Sequence, residues 1–266
     1  MIDIERVHEL IGTVHGRLGV YIACPETGES FSHNAEEPML AASVIKLCVM
    51  LEAFRRREEG TLDFNAPVTV RPEDKLPSCG ALTYLHDGLT VTVGDLVTLM
   101  IILSDNTATN LLIDLLGEER INRTIRETGL KHTELQRKLF RPDLAARGLE
   151  NRVSAEDMGL LMEGLLKGRL ISPAASREML DILLNQRLNG KLPFYLHSRG
   201  IRVAHKTGED DGITNDVGIL MTKPPVICCV LANEVDVPSA ERMMQDLAAC
   251  LVTTQAPLRT EPSDCG

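Results

Sequence analysis

The chain has 266 residues, a formal net charge of -10, 44% hydrophobic and 25% charged residues. It can bury one large core or two intimate ones, in an ordinary soluble globular composition. The acidic balance argues against nucleic acid or an anionic membrane as partner, and 3% aromatics with no Trp argue against a sugar- or base-stacking surface.

Ile4, Val7, Leu10, Ile11 and Val14 recur at helical spacing and predict an amphipathic opening helix. Strands are predicted at 18–24 and 30–34, joined by the turn chemistry of Pro25-Glu26-Thr27-Gly28-Glu29. From Ser43 to about Leu196 the pattern is helical, over 44–59, 93–103, 108–116, 118–128, 155–167 and 173–184, with Thr92, Ser154 and Ser172 as caps. The basic run Arg55-Arg56-Arg57 is followed by Glu58-Glu59 and reads as a solvated helix face. β-character returns at 203–206, 216–221 and 226–232, a last helix runs from Pro238 to about Leu251, and the tail 257–266 reads as disordered.

Two strands, a helical insertion, three strands and a helix predict an α/β (α+β) fold. Its sheet is five-stranded and mostly antiparallel, flanked by terminal helices. Residues 1–42 with 196–266 would form the sheet subdomain and 43–195 an all-helical one, with the site in the cleft between them. Nothing approaches an apolar span of membrane length, and Met1-Ile2-Asp3-Ile4-Glu5 lacks the features of a signal peptide. Seven cysteines, with Cys228 and Cys229 adjacent and Cys265 in a polar tail, do not form a disulfide framework. The expected compartment is the cytoplasm, or the outside of the cell if a leader was removed. No Cys pair has zinc-ligand spacing and the His residues fall singly, so neither metal nor cofactor is expected.

Three short motifs carry chemistry. Ser43-Val44-Ile45-Lys46 stands where strands give way to helix, and a spacing of three puts both side chains on one helical face. A hydroxyl becomes a competent nucleophile when a neutral lysine takes its proton, and the helix start offers free N–H groups to an oxyanion. Alone, the motif reads equally as a capping serine before a surface lysine, since about one S-x-x-K is expected per chain of this size. Ser104-Asp105-Asn106 interrupts two helices and alone reads as a cap. Lys206-Thr207-Gly208 ends the predicted strand at 203–206. Their order, and the element on which each falls, distinguishes the set from three coincidences.

With these motifs the sequence resembles the class A β-lactamase-like, penicillin-recognising serine hydrolases over nearly its whole length. The resemblance implies a β-lactamase/transpeptidase-like fold and assigns roles. Ser43 would be acylated, Lys46 would be the base and Ser104 would relay the proton to the leaving nitrogen. Asn106 would hold the substrate's side-chain amide. Lys206 and Thr207, in the motif closed by Gly208, would meet a substrate carboxylate or steady Ser104. The N–H groups of Ser43 and Glu209 would form the oxyanion hole. Asn215-Asp216-Val217-Gly218 fits the family's next strand.

The sequence departs from the family between the second and third motifs. Where class A enzymes carry Glu-Pro-x-Leu-Asn, whose Glu activates the deacylating water, it reads Arg141-Pro142-Asp143-Leu144-Ala145. Asp143, Glu134 and Glu150 are candidate replacements. Three more features have two readings each. Cys79 is a reactive thiol or, preferably, a small loop residue. His205 is a second base or, since strand alternation turns it away from Lys206, a packing residue. Glu209-Asp210-Asp211 faces the cleft and repels anions, or is a solvated turn, with Arg199 or Arg202 available to offset it. The expected function is a serine hydrolase forming an acyl-enzyme at Ser43 with small β-lactam, amide or ester substrates. The alternative is a penicillin-binding protein or sensor that deacylates slowly.

Overall fold

Residues 2–253 are described by a computed structural model. Helix α1 (Ile4–Ile11) is capped by Asp3, whose carboxylate accepts from Arg6 N at 3.0 Å, and it buries Val7, Leu10 and Ile11. Strands β1 (Arg17–Cys24) and β2 (Glu29–His33) form the predicted hairpin, followed by the short β3 (Met39–Leu40). The insertion holds α2 (Lys46–Glu58), the hairpin β4 (Pro67–Val70) and β5 (Leu89–Thr92), α3 (Val93–Ile102), α4 (Asn106–Leu116) and α5 (Glu118–Glu127). It continues through the one-turn α6 (Pro142–Ala145), β6 (Arg152–Val153), α7 (Ala155–Leu166) and α8 (Pro173–Leu184). Strands β7 (Val203–Asp210), β8 (Ile213–Leu220) and β9 (Val226–Asn233) and helix α9 (Val237–Thr253) close the chain. Thr92, Ser154 and Ser172 cap α3, α7 and α8, each accepting a backbone N–H three residues on.

The main sheet has the order β2-β1-β9-β8-β7, and every neighbouring pair is antiparallel. It is the predicted five-stranded sheet. Alternation along β9 sends Cys229 and Leu231 to the core shared with α2, α3, α4, α7 and α8. Cys228 and Val230 go to the core shared with α1 and α9. Both faces of the sheet are covered, which accounts for the unbroken apolar run of β9.

Three local expectations are corrected. β7 does not stop at Lys206 but runs to Asp210, because the reversing turn is Asp211-Gly212, with Gly212 at φ 64. For the same reason β8 begins at Ile213. The pairs β3–β6 and β4–β5 were not predicted, since two to four residues are too few to show a strand period. The predicted tail at 257–266 lies outside the described residues. Among the described residues no helix is long and apolar enough to cross a membrane.

Candidate active site

Ser43 lies in a 3-10 turn, Ala42–Ile45, that precedes α2, so the helix predicted from Val44 begins at Lys46. Side chains three apart nearly eclipse in such a turn, which sets Ser43 and Lys46 on one side of it. Ser43 keeps partial exposure while Lys46 is fully buried. Lys46 Nζ lies 2.7 Å from Ser104 O, 3.0 Å from Ser104 Oγ and 2.8 Å from Asn106 Oδ1, within hydrogen-bond reach of all three.

Ser104 comes from the break between α3 and α4 and is held at φ 53. Asp105, buried beside it, imposes that break. Its carboxylate caps α4 through Ala108 N at 2.9 Å and accepts from Ala81 N at 2.7 Å and Leu82 N at 2.9 Å. A Cβ on Gly80 would stand 2.4 Å from that carboxylate, so only glycine allows the approach. Asn106 N donates to Cys79 O at 3.2 Å, and Asn106 Nδ2 to Pro77 O at 3.3 Å. The 77–82 loop is thereby tied to the second motif.

The third motif enters on β7. A Cβ on Gly208 would lie 2.8 Å from Ala41 O and 3.2 Å from Ser43 N, so glycine lets the strand reach the nucleophile turn. Lys206 Nζ donates to Ser104 Oγ at 3.1 Å and to Thr207 O at 2.7 Å. One hydroxyl, Ser104 Oγ, therefore sits between two buried lysines. Burial disfavours an ammonium there and holds Lys206 down to about 7, with Asp216 opposing the fall and Lys191 adding to it. Burial first, and the Lys206 charge second, hold Lys46 well below the ordinary lysine value.

The predicted residues Ser43, Lys46, Ser104, Asn106, Lys206, Thr207 and Gly208 are thus brought to one place. Glu209 follows on β7 with its side chain turned to Lys191, at 3.1 Å. His205 is buried with Nδ1 2.8 Å from Asp216 Oδ1 and Nε2 3.1 Å from Asn189 Oδ1, as a packing residue would be. Cys79 is half-buried at the rim of the site.

The three candidate replacements, Asp143, Glu134 and Glu150, take part in none of the cluster's hydrogen bonds. Arg141 is exposed and paired with Asp143 at 2.7 Å, and Glu150 is paired with Arg137 at 2.6 Å. Glu134 accepts from Gln136 Nε2 at 2.7 Å on the surface. Two surface hollows of about 680 and 560 Å³ open elsewhere, beside Arg126, Lys131 and Arg152 and beside Arg55 and Arg169. Neither is lined by a residue of the Ser43 cluster.

Sequence reasoning missed two supports. Asn215 Nδ2 donates to Leu40 O at 3.0 Å and Ala41 O at 3.2 Å, while its Oδ1 accepts from Ala232 N at 3.0 Å, fixing the approach to Ser43. The signal was present as a polar residue within a buried strand. Lys191 donates to Gly208 O and Asn215 O, each at 3.3 Å, and left no local signal.

The profile of the beta-lactamase enzyme family matches residues 4–255. A beta-lactamase of Rhodobacter capsulatus is 25% identical over 257 residues, which span 94% of this chain and 86% of that protein. Among solved structures, a beta-lactamase from Sphaerobacter thermophilus aligns with a TM-score of 0.88 at 33% identity, over 95% of this chain and 97% of that one. The structure of PBP-A aligns with a TM-score of 0.83 at 25% identity, over 94% of each chain.

Proposed function

We propose a mechanism from one premise: the chain belongs to the beta-lactamase enzyme family and is a serine hydrolase of the beta-lactamase type. Its substrates are small β-lactams, amides or esters, taken in the cleft between a sheet subdomain (1–42 and 196–266) and a helical one (43–195). Ser43 Oγ attacks the substrate carbonyl while neutral Lys46 takes its proton. The N–H groups of Ser43 and Glu209 receive the developing oxyanion. As the carbon–nitrogen or carbon–oxygen bond breaks, the proton passes from Lys46 through Ser104 to the leaving atom. This leaves an acyl-Ser43 ester with no net change in enzyme protonation. Asn106 and Thr207 orient the substrate, and Lys206 steadies the Ser104 hydroxyl.

One observation carries this reading: Ser104 Oγ lies 3.0 Å from Lys46 Nζ and 3.1 Å from Lys206 Nζ. Two buried lysines with depressed proton affinity around one hydroxyl make a proton relay at neutral pH.

A second reading concerns the fate of the acyl-enzyme. Asp143 and Glu150 are each bound to an arginine, and no glutamate stands at position 141. This favours a protein that acylates and then releases slowly, as a penicillin-binding protein or sensor would. Intact-mass spectrometry over time after addition of a penicillin separates the readings. A lasting adduct on Ser43, absent from Ser43→Ala, supports slow release, and a transient one supports β-lactamase turnover. An equal adduct on Ser43→Ala would sink the assignment of the nucleophile.

A further inference from the structure

The larger hollow, of about 680 Å³, lies between the end of α5, the 129–134 segment and Arg152 of β6. Three cations line it, Arg126, Lys131 and Arg152, against one carboxylate, Glu134. Glu134 is already engaged by Gln136 Nε2 at 2.7 Å. Among the described residues none of the three cationic side chains has a hydrogen-bond or ion-pair partner. In a chain of net charge -10, a hollow of this sign runs against the average surface. The helix dipole accounts for a cation at Arg126, in the last turn of α5. It does not account for Lys131, which lies beyond that helix, or for Arg152, which belongs to a strand.

The walls are held together without the cations. Asn122 of α5 accepts from Leu135 N at 2.9 Å and donates to Leu135 O at 2.7 Å. Glu134 and Arg152 exchange backbone hydrogen bonds at 2.9 and 3.0 Å. Behind them, buried Asp157 of α7 accepts from Lys131 N at 3.1 Å, His132 N at 2.7 Å and Thr133 Oγ1 at 2.7 Å. That carboxylate is committed to the donors of the segment it holds. A ligand therefore meets a site already formed. Like charges around one hollow repel, and an anion between them turns repulsion into attraction. Guanidinium groups pair with phosphate oxygens in forks, and a lysine adds a point charge. Cations converging from three elements suit a phosphate, whose oxygens spread tetrahedrally, better than a planar carboxylate. The volume is that of a small-molecule site.

We propose that this hollow binds a small oxyanion carrying more than one phosphate group. Arg126 and Arg152 take phosphate oxygens and Lys131 supplies a third positive contact. The site is separate from the Ser43 cluster, so it stands or falls independently of acyl transfer.

The probe is inorganic tripolyphosphate, titrated into the full chain at low salt by calorimetry and amide NMR. Saturable one-to-one binding is expected, with shifts at Arg126, at Lys131–Glu134 and at Arg152. Arg126→Gln and Lys131→Gln change exposed, unpartnered side chains, so the fold should survive. Each should weaken binding about tenfold, the loss of one charge-assisted hydrogen bond. Arg177→Gln removes an exposed cation from α8, outside the hollow, and should leave the affinity within about twofold because distant charges are screened. Orthophosphate and citrate should both bind more weakly than tripolyphosphate. No binding at millimolar tripolyphosphate overturns the proposal. So does an affinity unmoved by Arg126→Gln and Lys131→Gln, or lowered as far by Arg177→Gln. Citrate binding as tightly as tripolyphosphate would overturn the assignment to phosphate.

Discussion

Two regions bordering the same nucleophile are built on opposite terms. The Lys46–Ser104–Lys206 cluster is buried, drawn from three distant chain segments and saturated with hydrogen bonds. Among the described residues no buried side-chain nitrogen or oxygen lacks a partner. The 134–151 segment is also anchored: Asn151 Oδ1 accepts from Gln136 N at 2.8 Å and Arg137 N at 3.0 Å, and Glu150 pairs with Arg137. Two of its acids, however, face their own arginines, Asp143 with Arg141 and Glu150 with Arg137. The first region gathers two lysines of depressed proton affinity around one hydroxyl, whereas the second neutralises its charges locally. Forming an acyl bond and hydrolysing it make separate demands, and the proposed mechanism assigns only the first of them to the buried cluster.

The most direct way to break that comparison is Lys46→Ala. If the buried cluster supplies the base, acylation of Ser43 by a penicillin or an activated ester should slow by about 10²–10⁴-fold. The variant also leaves Ser104 O and Asn106 Oδ1 without their shared donor, so circular dichroism and a melting curve must accompany the rates. A folded variant that acylates at the wild-type rate would remove the buried cluster from the chemistry.

A second perturbation separates the two lysines by pH. Lys206 lies near 7 when folded against 10.5 for an ordinary lysine, so between those values the unfolded chain binds the extra proton. Stability from this group therefore rises as pH climbs from about 7 toward 10.5, and its full deficit is present below 7. Urea unfolding should show that rise in wild type and less of it in Lys206→Met. The same substitution removes a positive neighbour that pulls Lys46 down, so the rising, acid-side limb of the acylation pH–rate profile should move to higher pH. A limb that stays put or moves lower would uncouple the lysines.

What the sequence could show follows from where the physics is local. Thr92, Ser154 and Ser172 announced their helices because a cap acts within three residues. Ser43, Lys46, Ser104 and Lys206 were legible because chemistry forces particular residue types onto particular elements. Lys191 was not legible. In Asn189-Gly190-Lys191 it reads as a loop lysine, and its burial depends on Glu209 and on Glu241, fifty residues away in α9. Likewise the acids of 141–150 were visible as residues, but their orientation depends on which arginine each one meets. The end of β7 was misplaced because Gly208 looks like a turn, while it serves close approach to Ser43 N.

The smallest expected effect tests the second region. Arg141→Glu places a glutamate where the related class A sequences carry one. In this chain position 141 is the exposed N-cap of α6, and its side chain points to Asp143 rather than into the Lys46 cluster. A base acts only within hydrogen-bond reach of the water it activates. The lifetime of a penicilloyl adduct should therefore change within about threefold, far below what a positioned base supplies. The substitution should register on Asp143 instead. Arg141 now holds that carboxyl down to about 2, and without it an NMR titration should find Asp143 back toward the usual carboxylate range. If the adduct instead turned over on the order of a hundredfold faster, the segment must swing a residue-141 side chain inward. The contrast between a committed acylation cluster and an outward-facing loop would then be wrong.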